Sequence, residues 1–412
     1  MINRKIYIEQ VTDFIDKPFV KVISGIRRSG KSILLMQTIE ALKQKGVNEK
    51  NIIYINFESF RYAEITNAKQ LYEKIASKIV NNDRYYILLD EIQEVDKWEK
   101  AINSFRIDFN ADIYITGSNS HLLSSELATY LSGRYIQIPV YTLSFSEFLD
   151  FRKEYSNNKV KDVYEEFENY LRLGGFPSIH AGSYTNGQAY KIVYDIYSSV
   201  ILRDVIQRFK IRDIELLERV VRYVFDNIGN KFSAKNVADY FKSQNRKLDL
   251  NTIYNYLNAL ESAYIIYRIQ RYNIKGKEIL KTNEKYFLGD QSLLYALTGF
   301  RDRQIAGVLE NIVMLELKRR GYDVYVGKLD DLEVDFIAEK QNKKRYIQVA
   351  YKMTEKSTMD REYRPLLKIN DNFPKYVITM DRLWNDNMDG IEHKHIADFL
   401  LLKEFWFLQI VT

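Results

Sequence analysis

The first 150 residues alternate between short apolar runs and longer segments whose apolar residues recur at helical spacing. The runs are rich in Ile, Val, Leu and Tyr, which favour strands, and each has the length of one buried strand. They lie at Phe19–Ser24, Asn51–Glu58, Tyr85–Leu89, Ala111–Ile115 and Ile136–Val140. Strands that alternate with helices indicate a parallel sheet covered by helices. We therefore predict an α/β core over residues 1–150.

The middle of the chain has a different pattern. Residues 151–212 are predicted to be helical. In residues 213–300, the spacing of apolar positions predicts three helices, which begin near Ile214, Ser233 and Leu250. An alternating run, a glycine turn and a second short apolar run then predict a hairpin. Three helices followed by a hairpin form the arrangement of a winged helix-turn-helix.

The last part of the chain, residues 301–412, returns to mixed helix and strand. One helix is predicted from Ile305 to Lys318, and strands are predicted at Tyr322–Val326, Glu333–Ala338 and Tyr346–Tyr351. We predict a second α/β domain here. The predicted organisation therefore has four segments, at residues 1–150, 151–212, 213–300 and 301–412.

The segment after the first predicted strand has the sequence of a phosphate-binding loop. The pattern G-x-x-x-x-G-K-[ST] is matched by Gly25, Ile26, Arg27, Arg28, Ser29, Gly30, Lys31 and Ser32. Its glycines let backbone N–H groups turn toward a phosphate, and the next helix presents its positive end to the same anion. Lys31 is expected to reach the β- and γ-phosphates of ATP, and Ser32 is expected to ligate Mg²⁺.

Two further strands end in polar residues that extend this site. Tyr85–Leu89 is followed by Asp90 and Glu91, and we expect Asp90 to hold Mg²⁺ and Glu91 to polarise the attacking water. Ala111–Ile115 is followed by a segment in which Ser118 or Asn119 would sense the γ-phosphate. A simple helix cap is the alternative for this pair. In a parallel sheet the three segments lie at one edge, which favours hydrolysis over binding alone.

Composition narrows the class of protein. The chain has 412 residues, no cysteine and a formal net charge of +6. Disulfides, zinc–thiolate sites and cysteine nucleophiles are therefore excluded, and the small positive excess does not by itself indicate nucleic-acid binding. The sequence contains neither the apolar core of a signal peptide nor an apolar run of membrane-spanning length. We expect a cytoplasmic protein without a membrane partner.

These motifs resemble those of the AAA+ ATPases, in particular a prokaryotic group with a C-terminal nuclease-like domain. The matching segments are Gly25–Ser32, Leu88–Gln93, Thr116–Ser120, Leu131–Tyr135 and Leu173–Pro177. The resemblance implies that residues 151–212 form the helical lid. It also implies that Arg134 completes the active site of a neighbouring subunit, so that the protein acts as a dimer or a ring. A surface arginine in a turn is the alternative for Arg134.

The order of elements after residue 301 resembles the restriction-endonuclease-like fold of PD-(D/E)xK nucleases. Asp335 matches the first acid, and either Glu310 or Glu316 can add a ligand from the helix. The acid-x-Lys that should follow is absent, because Gln348 and Ala350 occupy those positions. Lys352 would share the strand face but lies about 6.6 Å too far along it. We therefore expect a degenerate nuclease site at Glu310, Asp335, Gln348 and Lys352 that does not cleave DNA.

The predicted winged helix is the candidate for DNA contact. Its third helix places Asn251, Asn255 and Asn258 on one exposed stripe, and asparagine can pair with adenine edges. Positive charge is expected from the residues before this helix and from the hairpin, at Arg246, Lys247, Arg268, Arg271, Lys275 and Lys277. The alternative is a winged helix that packs against a protein partner.

Three hypotheses for function follow. The favoured one is a Mg²⁺-dependent ATPase that couples hydrolysis to remodelling of a target, DNA rather than protein. The second is a slow nucleotide switch that changes its assembly state and signals through the later domains. The third, an ATP-regulated nuclease, is disfavoured by Ala350.

Overall fold

The computed structural model describes residues 2–120, 131, 133–155, 162–243, 249–382 and 387–402. Its contacts divide the chain into two compact units. The first comprises Met1–Tyr141 and Ser262–Tyr264, and the second comprises Thr142–Glu261 and Ile265–Thr412. Within the described ranges, no helix has both the length and the apolar character needed to cross a bilayer.

The first unit is built on a five-stranded sheet in the order β2-β3-β4-β1-β5, with all neighbouring strands parallel. Its strands are β1 Val20–Ser24, β2 Ile52–Asn56, β3 Tyr85–Asp90, β4 Ala111–Gly117 and β5 Tyr135–Pro139. Its helices are α1 Lys5–Thr12, α2 Lys31–Gln44, α3 Ala68–Ala76 and α4 Trp98–Asp108, with short 3-10 helices at Glu49–Asn51, Phe60–Tyr62 and Ile92–Glu94. The predicted α/β fold class is confirmed.

Both faces of this sheet are buried, because side chains alternate along each strand. On one face, Val22, Ile55 and Leu89 pack with the apolar side of α3 and α4. On the other face, Ile23 and Leu88 pack with α1 and α2. Burial on two sides explains why the strands are continuous apolar runs in the sequence, and it places all the carboxyl ends at one polar edge.

The second unit begins with helices. They are α5 Phe145–Tyr155, α6 Val163–Leu173, α7 Pro177–His180, α8 Asn186–Val200, a π-helical segment Ile201–Gln207, α9 Ile214–Asp226, α10 Ala234–Ser243 and α11 Leu250–Ser262. Local chemistry sets several of the starts. Thr185 and Gln188 form a reciprocal capping box at α8, and the Asp213 carboxylate accepts from the Leu216 amide at α9.

The remaining elements form a seven-stranded sheet with flanking helices. They are β6 Ile266–Asn273, β7 Glu278–Leu288, α12 Ser292–Thr298, a 3-10 helix Asp302–Gln304, α13 Ile305–Arg319, β8 Asp323–Leu329, β9 Leu332–Lys340, β10 Lys343–Val349, α14 Lys356–Leu367, β11 Lys375–Thr379, β12 Ile391–His395 and α15 Ile396–Leu401. The strand order is β12-β11-β10-β9-β8-β6-β7.

One pairing in this sheet bears on the predicted domain boundary. The hairpin strand β6 pairs in parallel with β8, through Arg271–Val326, Tyr272–Gly327 and Asn273–Lys328. The predicted boundary between residues 300 and 301 therefore falls between strands of one sheet. Sequence patterns did not reveal this pairing. Each strand has its own apolar pattern, but its partner is distant in the sequence and leaves no local signal. The four-segment division stays a prediction.

Candidate active site

The phosphate-binding loop lies between the end of β1 and the start of α2, and two glycines allow its shape. Gly25 has a φ of 151°, and a Cβ there would lie 2.1 Å from the Val140 carbonyl oxygen. Gly30 has a φ of 99° and forms the N-cap of α2. A side chain at Gly25 would collide with the backbone, and one at Gly30 would be strained. The loop backbone thus requires glycine at both positions.

Lys31 is buried and turned toward the loop. Its Nζ donates to the carbonyl oxygens of Gly25, at 3.1 Å, and Ile26, at 3.2 Å. The same atom lies 3.6 Å from Glu91 Oε1. Two main-chain carbonyls contact the ammonium and one carboxylate lies at longer range. The ammonium is therefore held in place but keeps much of its positive charge. The ammonium can exchange these contacts for those of a more highly charged anion.

Asp90, the last residue of β3, is completely buried and lies in a ring of donors. Tyr54 Oη and Asn56 Nδ2 donate to its Oδ2 at 3.2 Å and 3.0 Å. The Thr116 hydroxyl donates to Oδ1, and the Ser32 hydroxyl also contacts the carboxylate. Burial raises the pKa of Asp90, while these hydrogen bonds oppose the rise. The network fixes the carboxylate beside the first turn of α2.

Glu91 follows directly and has a left-handed backbone, with a φ of 55°. Such a conformation is uncommon for a residue with a side chain. Burial opposes ionisation of Glu91, but the Lys31 ammonium and the Gln93 amide outweigh burial and hold its pKa below the usual value. The Ser118 hydroxyl also contacts this carboxylate. An ionised carboxylate at this place can accept a proton from water.

The arginines of the loop take different environments. Arg27 is buried, and its guanidinium forms an ion pair with Glu58. The Glu58 amide donates to Asn56 Oδ1 at 2.8 Å, so the loop is linked through the end of β2 to Asp90. Arg28 is exposed and has a φ of 66°.

The residues present fit both a nucleotide phosphate and Mg²⁺. Ser29 Oγ is buried in the loop and has no hydrogen-bond partner within the part of the chain that the structure describes. An unsatisfied hydroxyl beside glycine amides suits a phosphate oxygen. Asp90 and Ser32 supply a carboxylate and a hydroxyl, which are the hard oxygen ligands that Mg²⁺ prefers.

Arg134 lies at the other end of the sheet. The Val20 amide donates to its carbonyl oxygen at 3.0 Å, and β5 runs parallel to β1 from that point. Arg134 therefore precedes the strands, whereas the loop follows them. A five-residue strand spans about 16 Å, so the exposed guanidinium does not serve the site of its own chain. Its predicted action on a neighbouring subunit stays a prediction.

Several residues of this network were not identified from the sequence. Thr116 both donates to Asp90 and accepts from the Glu91 amide at 2.9 Å, so it connects the two acids. Tyr54, Asn56 and Gln93 complete the contacts. Asn56 and Thr116 lie at or next to strand ends, which was the available signal, but the strand order β2-β3-β4 was needed to bring them to Asp90. Ser118 and Asn119 are both completely buried after β4.

The predicted degenerate nuclease residues meet in the second unit, around a lysine that the sequence analysis did not identify. Lys285 Nζ lies 3.0 Å from Glu310 Oε2, 3.1 Å from Glu333 Oε1 and 3.5 Å from Asp335 Oδ1. Gln348 Oε1 accepts from the Asp335 amide at 3.3 Å.

Cations neutralise this cluster. Glu333 Oε2 also lies 3.3 Å from Lys231 and 3.7 Å from Arg271, so three cations face three carboxylates. Among the residues described, no group of acids and histidines is arranged to hold a metal ion.

The prediction that Lys352 shares a strand face with Gln348 is wrong. Strand β10 ends at Val349, and Lys352 is exposed three residues beyond it. Lys352 lines a separate cavity.

The predicted DNA contacts divide into two groups. Asn251, Asn255 and Asn258 are exposed on one side of α11. Arg271 is buried and paired with Glu333, so its guanidinium faces protein. In the exposed hairpin turn, Lys275 lies 2.6 Å from Asp330, and Lys277 is exposed. The predicted cations Arg246 and Lys247 lie outside the described residues.

Comparisons with known proteins support the fold that the structure shows for the first unit. Residues 17–149 match the family model of an AAA domain, and residues 164–304 match a domain of unknown function. An uncharacterized protein of Haemophilus influenzae is 42% identical over 403 residues, which cover 97% of this chain and 99% of that protein. An uncharacterized protein of Methanocaldococcus jannaschii is 34% identical over 424 aligned positions, which cover 98% of this chain and 90% of that protein.

A solved structure shows the same fold. A Walker-type ATPase of Pyrococcus abyssi superposes with a TM-score of 0.51 and 16% identity, over 72% of this chain and 96% of that one. The AAA domain accounts for the five-stranded sheet, the loop and the acids at its edge. The chain therefore belongs to one family with these proteins of Haemophilus influenzae and Methanocaldococcus jannaschii, and its residues 17–149 form an AAA domain.

Proposed function

We propose that the chain hydrolyses ATP with the help of Mg²⁺ and couples the cycle to remodelling of DNA. The observation that carries the hydrolytic part is the meeting of Lys31, Glu91 and Asp90 at the edge where the phosphate-binding loop ends. A site that only held nucleotide would not need a buried, ionised carboxylate next to the cation of the loop.

Each residue has a separate task in this proposal. Lys31 exchanges the loop carbonyls for phosphate oxygens and neutralises charge there. Glu91, kept ionised by Lys31 and Gln93, orients a water and accepts its proton. Asp90 and Ser32 would hold Mg²⁺, which neutralises the phosphates when bound. Thr116 contacts both Asp90 and Glu91 and fixes their relative positions.

The DNA part of the proposal rests on the exposed asparagine stripe of α11. We infer that α9, α10, α11 and the β6–β7 hairpin act as a winged helix, with Asn251, Asn255 and Asn258 toward the bases. Lys277 in the exposed turn supplies a phosphate contact. Arg271 has no place in this interface, since it is buried against Glu333.

The decisive experiment measures ATP turnover without DNA, with single-stranded DNA and with double-stranded DNA. We expect stimulation by DNA, and its loss in Asn255→Ala. Asp239→Ala, which alters an exposed position of the preceding helix α10, is the control. Turnover without any DNA effect, together with DNA binding that is absent or insensitive to salt, would reject the DNA part and leave the ATPase intact.

A slow assembly switch is the second candidate, and the position of Arg134 favours it. Because this arginine lies away from the site of its own chain, the site would be completed only between subunits. Very slow turnover with ATP-dependent oligomerisation would support the switch. Full ATPase activity in Arg134→Ala would contradict any action of this arginine across subunits.

We also propose that the C-terminal domain is a nuclease-like fold that does not cleave DNA and serves binding or assembly. Lys285 occupies the centre of the acids where a metal ion would be needed. A plasmid cleavage assay with Mg²⁺ or Mn²⁺ should show no nicking by wild type or by Asp335→Ala. Nicking that disappears in Asp335→Ala would overturn this proposal.

A further inference from the structure

A cavity lies at one edge of the C-terminal sheet. The residues that line it are far in the sequence from the phosphate-binding loop. Strands β10, β11 and β12 are mutually parallel, and a cavity of about 690 Å³ opens where their carboxyl ends meet. It is lined by the segments that follow β10 and β11, by the last residue of β12 and by one side of α6. Small ligands of α/β proteins bind at such an edge, in cavities of this size.

The walls of this cavity are held together before any ligand arrives. Asp381 Oδ2 accepts from the Met353 amide at 2.8 Å, and the Asp381 amide donates to Thr379 Oγ1 at 3.1 Å. Thr379 Oγ1 in turn lies 2.7 Å from His393 Nε2. These contacts connect all three strand ends, so the ligand would not need to order the site.

Two cations are available at this cavity. Lys352 is exposed, forms no ion pair with a carboxylate among the residues that the structure describes, and lies 5.2 Å from the Tyr351 ring centroid. The Arg382 guanidinium lies 4.9 Å from the Tyr164 ring centroid and 3.3 Å from the half-exposed carboxylate of Asp162. Exposed pairs of this kind are weak and are readily exchanged for a ligand anion.

Other residues that line the cavity limit how much negative charge a ligand can carry. Glu168 and Asp381 also face the cavity, so a long polyanion would meet repulsion as well as attraction. Met353, Met380 and the two tyrosine rings add an apolar wall. His395 accepts from the Ala397 amide through Nδ1, and burial lowers its pKa, so its ring is neutral at pH 7.

We propose that this cavity binds a nucleoside monophosphate, with the phosphate between Lys352 and Arg382 and the base against the methionine and tyrosine side chains. The two cations can neutralise the charge of a single phosphate group, even with two carboxylates nearby. A planar base can pack against the apolar wall. The site is distinct from the phosphate-binding loop and does not depend on ATP hydrolysis.

Isothermal titration calorimetry tests the proposal on the full chain. The phosphate-binding loop is first saturated with Mg²⁺ and the non-hydrolysable analogue AMPPCP, and AMP, GMP, adenosine and inorganic phosphate are then titrated separately. We expect AMP or GMP to bind with one site per chain, and adenosine and phosphate to bind at least tenfold more weakly. Lys352→Glu and Arg382→Glu should each weaken the nucleotide by at least tenfold.

The matched control is Lys368→Glu, which reverses an exposed charge at the end of α14 and should leave the affinity unchanged. Unaltered hydrogen-exchange protection of the β10 and β11 amides in all three variants would show that the C-terminal sheet folds. The proposal is overturned if neither nucleotide binds at about 1 mM, or if Lys352→Glu and Arg382→Glu bind like wild type. Inorganic phosphate that binds as tightly as the nucleotides would overturn recognition of the base.

Discussion

The buried lysines Lys31 and Lys285 both face carboxylates, and their surroundings differ. Lys31 lies 3.6 Å from a single carboxylate, that of Glu91, and otherwise contacts main-chain carbonyls. Lys285 lies within 3.5 Å of three carboxylates. The first ammonium keeps much of its charge available to an incoming phosphate, whereas the second is fully used within the protein. Burial and residue type are thus not enough to indicate catalysis, because the number of partners decides what a charged group can still do.

The same contrast holds for the acids. Asp90 contacts hydroxyls and an amide, which can tolerate a metal ion nearby. Asp335 accepts from the Val349 amide at 2.9 Å on one oxygen and faces Lys285 with the other. A divalent ion at Asp335 would have to displace a buried cation, at a cost of several kcal/mol.

The largest effect is expected from Glu91→Gln. Removal of a general base should lower ATP turnover by a factor of about 100 to 10,000, while nucleotide binding persists because Lys31 and the loop remain. Phosphate release and calorimetric binding of ATP measure the two quantities. Glu94→Gln changes an exposed acid in the 3-10 helix that follows Glu91 and is the control. Undiminished turnover would remove Glu91 from its role.

Lys285→Met should act on stability instead of chemistry. Its loss leaves Glu333 and Asp335 without the cation that they share, which costs about 3–5 kcal/mol in the free energy of unfolding. Hydrogen-exchange protection of the β7 and β9 amides measures the change in this unit.

Lys275→Met is the matched control for that stability measurement, because it breaks the exposed pair with Asp330. It should cost less than about 1 kcal/mol. Equal losses in the two variants would show that the Lys285 cluster is not the stabilising feature we infer.

The pH dependence of stability should separate the two sites further. Burial holds the pKa of Glu310 above its ordinary value of 4.5, so the folded chain keeps a proton that the unfolded chain releases. The stabilisation is therefore complete below that value and is lost as pH rises toward the folded pKa. Between pH 5 and 8 we expect a decline of about 1–3 kcal/mol in the free energy of unfolding.

Glu310→Gln should flatten that decline, which urea unfolding at several pH values would reveal, and the exposed Glu278→Gln should not. Glu91 has a lowered pKa and stays ionised over the same interval, so its contribution to turnover should not change. A decline that persists unchanged in Glu310→Gln would assign it to another group.

The smallest effect is expected from Tyr54→Phe. It removes one donor to Asp90, so the Mg²⁺ concentration for half-maximal turnover should rise by less than about tenfold. Turnover at saturating Mg²⁺ should be restored. Tyr72→Phe removes a comparable bond to the exposed Asp108 and should change nothing. A loss of turnover that Mg²⁺ does not restore would mean that Tyr54 supports the fold rather than Asp90.

Local sequence was sufficient to predict the part of the site that is contiguous. The loop from Gly25 to Ser32 and the pair Asp90–Glu91 each lie within one strand and its following residues, so spacing alone identifies them. Thr116, Tyr54 and Asn56 could not be predicted, because they reach Asp90 only through the order of neighbouring strands.

The second cluster was harder to predict for the same reason. Lys285 lies 25 residues from Glu310 and 50 residues from Asp335 in the sequence. Its place among the acids follows from the pairing of β6 with β7 and β8, which no periodicity indicates. Lys352 was misplaced because alternation was extended past the end of a strand at Val349.

The pairing of β6 with β8 also decides how the chain can be cut. A fragment that ends near residue 304, where the match to the domain of unknown function ends, would keep β6 and β7 and lose the other five strands of their sheet. The unpaired N–H and C=O groups along β6 would then face solvent and invite aggregation. Expression trials should therefore retain the polypeptide through β12. Aggregation of a truncated product would reflect the division of this sheet, and it would not show that a functional residue had been lost.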